Sequence, residues 1–197
     1  YKAESSRRIS KVRAMDIESY FRSLEMRLEF GFGDMFTIPR IAQLSQKTNQ
    51  FNLTTRRYSD ANVGRHVDSK EFDVLWLRVS DKFGDLGIVG TCILKYVGDC
   101  AEIDSLLLSC RALGRNVEKK FLTESLRVAY SRGARIVRGE YLKSSKNSQV
   151  ESFYLDNGFD EVDASQKTED RVFMLHLDEM PAMECGYFLE IVSVNTL

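Results

Sequence analysis

Cys110 stands where an apolar run meets a polar, glycine-containing turn, in Leu108-Ser109-Cys110-Arg111-Ala112-Leu113-Gly114-Arg115-Asn116. A thiol beside a guanidinium and close to a helix start is biased toward thiolate, the form that attacks a carbonyl carbon and can carry an acyl group as a thioester. The same string could hold an anion. Backbone amides at a helix N-terminus point at a ligand, Gly114 lets it approach, and Arg111 and Arg115 add charge-assisted donors beside the main chain of Leu113 and Asn116. Cysteines at the ends of apolar strands also serve as small packing residues, and solvated arginines at a helix start have the same composition. Both readings stand on residue types alone.

Two further strings carry unusual chemistry. Lys146-Asn147-Ser148-Gln149-Val150-Glu151-Ser152-Phe153-Tyr154-Leu155-Asp156-Asn157-Gly158-Phe159 begins with a capping residue and ends in a natural C′ glycine. Its Phe153 and Tyr154 also fit as core aromatics on the stripe that Val150 starts. Lys47-Thr48-Asn49-Gln50-Phe51-Asn52-Leu53-Thr54-Thr55-Arg56-Arg57 follows neither helical nor strand periodicity. So many donors and acceptors must be solvated or individually satisfied. Asn49, Asn52 and Thr54 can touch a ligand, or the string can brace the lead-in against the sheet.

The elements that must hold these strings follow from apolar spacing. Ile17, Tyr20, Phe21, Leu24 and Leu28 predict an amphipathic helix within residues 1–30, closed by Gly31 and Gly33. Pro39 predicts the first turn of a short helix with Ile41 and Leu44. Phe72 to Val79 and Ile88 to Tyr96 read as an antiparallel pair around the turn Asp81-Lys82-Phe83-Gly84-Asp85, and Ala101 to Leu108 reads as another strand. A helix over Val117, Phe121, Leu122, Leu126 and Ala129 follows, then a strand over Ile136 to Leu142, a helix over 148–157 and a strand over Arg171 to Leu177. The class is mixed α/β, α+β with a mixed sheet. We divide it into a helical lead-in with the polar segment (1–70), an α/β core (71–178) and a tail (179–197).

Composition excludes several functions. The 197 residues are 43% hydrophobic, enough for a core, and the net charge of −1 gives no argument for nucleic acid or an anionic membrane as partner. No apolar run approaches the ~18 residues of a membrane span. Four cysteines without metal-ligand spacing and two histidines argue against zinc and suit cytoplasmic free thiols. Tyr1 in place of Met, followed by a charged segment, reads as a chain that opens partway through a longer polypeptide.

The Cys110 to Asn116 string resembles the pyrophosphate loop of GNAT acyltransferases, Arg/Gln-x-x-Gly-x-Gly/Ala, with Asn116 in place of the second small residue. The 146–159 string resembles the closing GNAT motif. That resemblance implies a GNAT-like fold with an N-terminal helical extension. It also implies that Tyr154 protonates a leaving thiolate, a plausible pairing for a phenol of pKa ~10, and that Asn147 contacts a pantetheine arm.

The polar string, together with Asp81 to Asp85, Ile103-Asp104, Ser109-Cys110-Arg111, Gly114-Arg115 and Lys146-Asn147, resembles the C-terminal half of FkbH-like proteins across residues 10–160. This implies an acyltransferase domain that loads a glyceryl unit derived from 1,3-bisphosphoglycerate onto the phosphopantetheine of an acyl carrier protein, or uses coenzyme A. Such loading feeds methoxymalonyl-type extender units of polyketide assembly. The upstream HAD-like phosphatase domain of such proteins would precede Tyr1, and no Asp-x-Asp string for it occurs here. Within the resemblance Cys110 is the acyl-thioester residue. Asp104 orients a base or substrate hydroxyls, and Lys146 joins Asn49, Asn52 and Thr54 at the substrate. Two rivals remain: an acetyl-CoA-dependent N-acetyltransferase and a non-catalytic carrier-docking module.

Overall fold

The structure, a computed structural model, describes residues 16–162 and 169–193; the expected lead-in helix before residue 16 lies outside them. Helix α1 (16–23) ends where the Leu24 and Glu25 amides bond the Phe21 and Arg22 carbonyls and Glu25 turns to φ 53°. The chain then enters strand β1 (Arg27–Phe32). The expected helix through Leu28 is therefore wrong. Ile17 and Tyr20 stay half exposed, while Leu28 and Phe30 point into the core at strand spacing. Gly31 is there for Trp76, since a Cβ would lie 2.1 Å from Cζ2 of the indole.

Helix α2 (Ile38–Lys47) starts on Pro39 as expected. β2 (Phe51–Asn52) and α3 (Asp60–Val67) follow, the latter opened by a capping box in which Ser59 and Asn62 bond reciprocally. β3 (Phe72–Asp81), β4 (Gly84–Val97) and β5 (Cys100–Leu108) form the central meander. α4 (Val117–Ser131) crosses back to β6 (Ile136–Tyr141). The expected helix over 148–157 is split into a 3₁₀ turn, Ser148–Val150, and a short α5 (Phe153–Asp156). β7 (Asp160–Val162), β8 (Arg171–His176) and β9 (Glu190–Val192) complete the sheet.

The sheet order is β7-β8-β6-β5-β4-β3-β1-β9, with β2 attached separately to β5. β5 runs parallel to β6 and β1 to β9, and the other pairs are antiparallel. The lead-in and the tail thus each give a strand to the sheet. Alternation sorts the two faces. Leu75, Leu77 and Val79 of β3 join the main core with Phe121 of α4, whose ring stacks on Phe30 at 5.9 Å. Val74 of β3 and Ile93 of β4 face the other way, onto Ile41 and Ala42 of α2 and Val63 of α3. Three layers result, with α2 and α3 on one side and α4 on the other.

Candidate functional site

β5 and β6 pair only from Cys100↔Ile136 to Ile103↔Gly139, and beyond that point they part. On the other edge of β5 a bulge falls at the same place, because Ile93 opposes Ser105 and Leu94 opposes Ile103, so Asp104 has no partner on β4. Parting parallel strands leave backbone groups unpaired, which is costly when buried. The polar string supplies what is missing. Phe51 and Asn52 pair with Leu108 and Leu107, the Leu53 amide bonds the Leu106 carbonyl at 3.2 Å, and the Leu53 carbonyl accepts from Leu142 at 2.8 Å. The segment fills the gap as a surrogate strand.

Its side chains finish the work. Asn52 is fully buried, donating to the Thr48 carbonyl and accepting from the Thr55 amide. Thr54 and Arg56 both donate to the carbonyl of the bulged Asp104, at 3.0 and 2.6 Å. Arg57 caps the end of α2 through the Ser45 and Thr48 carbonyls and reaches Asn49 Oδ1 at 2.6 Å. Asn147, also fully buried, donates to the Asn52 and Leu142 carbonyls at 2.9 Å each and accepts from the Ser144 amide and the Tyr141 hydroxyl. Asn147 makes no side-chain cap bond to the 3₁₀ turn that follows it, so its expected capping role is corrected. Asn52, Thr54 and Asn147, expected at a substrate or pantetheine arm, all brace the split.

Asp104 is likewise engaged. Its carboxylate accepts from Arg56 and from the Tyr58 hydroxyl. Burial and this carboxylate push the Tyr58 phenol above its ordinary range. Arg56 continues to Glu140 at 2.7 Å, and Arg138 bonds Glu140 and lies near Glu102. Burial raises the Glu140 pKa, but the two guanidinium groups outweigh it and hold the carboxyl below its usual value. Asp104, expected to orient a base or substrate hydroxyls, here belongs to an ion network on the sheet and does not line the Cys110 cavity.

Cys110 opens a 3₁₀ turn, Cys110–Ala112, just past β5, and is exposed. It lies in the wall of a cavity of about 750 Å³ between α2 and the loop before residue 147. Arg40, Lys47, Arg111 and Lys146 line this cavity together with Asn49, and among the described residues no carboxylate does. Arg40 is held by the Ile88 carbonyl at 2.9 and 3.0 Å and by Gln43. Sequence reasoning placed Cys110, Arg111, Asn49 and Lys146 at one site, and the structure brings them together. It missed Arg40, Gln43 and Lys47. Their signal was present: after Pro39 they fall three, four and seven residues apart, on one helical face.

The turn leading to α4 is arranged differently from expectation. Gly114 and Asn116 take left-handed φ values of 76° and 57°, the latter a conformation Asn tolerates. Arg115 turns aside toward Asp81 at 3.5 Å, and the Tyr187 hydroxyl caps its carbonyl. Glu118 stands in the first turn of α4, where burial raises its pKa, and its Oε2 has no hydrogen-bond partner among the described residues. The start of α4 thus carries a carboxylate of its own. Leu113 and Gly114 line a separate, smaller cavity of about 290 Å³ with Glu118 and Asp156.

Tyr154 is fully buried, packed against Phe159 and Phe173 with ring centroids 4.9 and 5.2 Å away. Its hydroxyl has no hydrogen-bond partner among the described residues, and burial drives its pKa well above the ordinary value. Tyr154, expected to protonate a leaving thiolate, is sealed in the core here and does not line the Cys110 cavity. Burying a hydroxyl without a partner costs about 1–3 kcal/mol. Tyr154→Phe should therefore raise the unfolding free energy by about 1 kcal/mol in urea titration while leaving ligand binding unchanged; a destabilised variant would show that the hydroxyl is satisfied.

No family model and no curated protein matches this sequence. Solved structures do. The ribosomal-protein-S18-alanine N-acetyltransferase from Escherichia coli aligns with TM-score 0.57 at 12% identity over 76% of this chain and 93% of its own. The GNAT domain of S. lividans PAT aligns with TM-score 0.58 at 18% identity over 75% of this chain and 89% of its own. Rv2747 from Mycobacterium tuberculosis, solved in complex with CoA, aligns with TM-score 0.57 at 15% identity over 75% of this chain and 98% of its own. At such identities the likeness establishes the fold, which is that of the GNAT acetyltransferases. Among the described residues no His, Cys, Asp and Glu group could hold a metal ion, and no helix is long and apolar enough to cross a membrane.

Proposed function

We propose that this chain is the acyltransferase portion of an FkbH-like protein. Cys110 accepts a glyceryl unit derived from 1,3-bisphosphoglycerate and passes it to the phosphopantetheine thiol of an acyl carrier protein. The observation that carries the reading is an exposed thiol in the wall of a cavity that, among the described residues, is lined by four cations and no carboxylate. With an acyl phosphate as donor, the Cys110 thiolate attacks the carbonyl carbon, the S–C bond forms, and the C–O bond to phosphate breaks with phosphate taking the electron pair. The carrier's thiol, after losing its proton to solvent, attacks that thioester, and Cys110 departs as thiolate. Removal of the remaining phosphate falls to an upstream HAD-like domain of the same polypeptide.

A synthetic glyceryl thioester of N-acetylcysteamine tests the first step without that domain. Intact mass should show one glyceryl adduct on the native chain and none on Cys110→Ser. An equal adduct on the variant overturns the assignment.

A second reading, an acetyl-CoA-dependent N-acetyltransferase, is favoured by the N-acetyltransferase among the fold neighbours. It requires saturable acetyl-CoA binding and amine-dependent thiol release with no protein adduct. The Glu118 carboxylate in the first turn of α4 weighs against it, since a pyrophosphate bound to that turn would meet its negative charge.

A further inference from the structure

Four cations surround the Cys110 cavity, two from α2 and two from loops that meet it across the end of β5. Among the described residues, Arg111, Lys47 and Lys146 make no ion pair, although most other arginines of this protein do. Arg40 has its head group fixed against the Ile88 carbonyl, which orients the guanidinium without neutralising it. Arg40 and Arg111 line the same cavity, and burial, and then the nearby charge of Arg111, lower the Arg40 pKa. Like charges gathered at a partly buried wall repel one another, and folding tolerates this only at some cost in stability. A ligand carrying two negative charges would relieve the repulsion. Planar guanidinium groups match phosphate oxygens in geometry as well as charge.

We propose that this cavity is a phosphomonoester site. Arg40 and Arg111 grip the phosphate, Lys47 and Lys146 close around it at the rim, and the remainder of the ligand lies along the wall that holds Cys110. The inference rests on the Cys110 reading for its place in the reaction, though phosphate binding itself does not need the thiol to react. The phosphate can come from a small phosphorylated acyl compound or from the phosphopantetheine arm of a carrier. Either source would put its phosphate in the cavity whose wall holds Cys110.

The test is the rate at which iodoacetamide alkylates Cys110 in the 197-residue chain, with Cys185, the other exposed thiol, replaced by Ser. Inorganic phosphate, 3-phosphoglycerate and 4′-phosphopantetheine are titrated separately, each against sodium chloride of matched ionic strength. Saturable protection by a phosphate compound beyond the chloride control is the expected result. Arg111→Gln should raise the half-saturating concentration roughly tenfold or more, the size expected for a lost charge-assisted contact. The exposed double variant Lys47→Gln/Lys146→Gln should shift it in the same direction, which guards against misfolding of the Arg111 variant. Stronger protection by 3-phosphoglycerate assigns the site to the acyl compound, and stronger protection by phosphopantetheine assigns it to the carrier arm. Protection no greater than chloride gives, or protection unchanged in both variants, overturns the proposal. If phosphate protects but Cys110→Ser still gains the glyceryl adduct, the site stands and the thioester assignment falls. With the opposite pair of results, the thioester assignment stands alone.

Discussion

Asn147→Asp should be among the most damaging substitutions in this protein. The native amide is buried, and its Nδ2 donates to the carbonyls of Asn52 and Leu142 while its Oδ1 accepts from the Ser144 amide and the Tyr141 hydroxyl. The substitution keeps shape and volume but turns the double donor into an acceptor facing two carbonyl oxygens. Two acceptors lose their partner, and a carboxylate meets them with little solvent. We expect a loss of roughly 3–5 kcal/mol at neutral pH, a fall in melting temperature of about 10 °C or more. The pH dependence has a definite sign. The new carboxyl prefers its neutral form in the folded state, so its folded pKa is raised above the unfolded value. Its penalty is absent below the unfolded pKa and grows as pH rises through the folded one. Urea titrations at neutral pH and near pH 4 should therefore show the gap to the native protein narrowing in acid. A gap that is constant with pH would mean that the site is open to water.

The second large effect belongs to Gly139→Ala. A Cβ there would lie 2.4 Å from Cζ of Tyr154 and 2.6 Å from a neighbouring ring carbon. The ring has nowhere to retreat, since Phe159 and Phe173 press on it from other sides. Gly139 is also the last residue at which β6 pairs with β5, so a displaced strand would disturb the split directly. Overpacking of this kind costs about 1–3 kcal/mol where the neighbours can yield, and we expect the upper end or beyond. A second substitution separates the causes. Tyr154→Leu in the Gly139→Ala background should recover part of the loss, because it removes the ring that collides. Tyr154→Phe should recover little beyond its own gain, because the ring remains. Equal recovery by both would place the strain at the hydroxyl.

The regular elements were legible where one residue face decides burial. β3, β4, β5, α4, β6 and β8 follow from strand or helix spacing in the sequence, with ends within a few residues. β1 was misread because Tyr20, Phe21, Leu24 and Leu28 satisfy helical spacing. The choice was made by distant partners, β3 on one edge and β9 on the other. α3 was missed although Ser59 and Asn62 stand at capping-box spacing, because it buries only Val63. The polar string was recognised as demanding individual satisfaction, yet nothing local says that its partners are Leu106, Leu142 and a bulge at Asp104. Cys110 was legible as a thiol in a basic setting. That Arg40 and Lys47 would complete the setting depends on how α2 lies across the sheet, which spacing does not encode.

The surrogate strand at residues 51–53 has a consequence for the protein's colloidal behaviour. An exposed strand edge with apolar neighbours is a template for pairing with other chains. Here the free edge of β5 beyond Ile103, running through Leu106, Leu107 and Leu108, is covered by a segment from early in the chain. Phe51→Pro with Leu53→Pro would withdraw that cover while leaving β1 and α2 in the sequence. The open leucine-rich edge would invite self-association, and light scattering against protein concentration would register it. The polar string therefore covers a strand edge as well as closing the split.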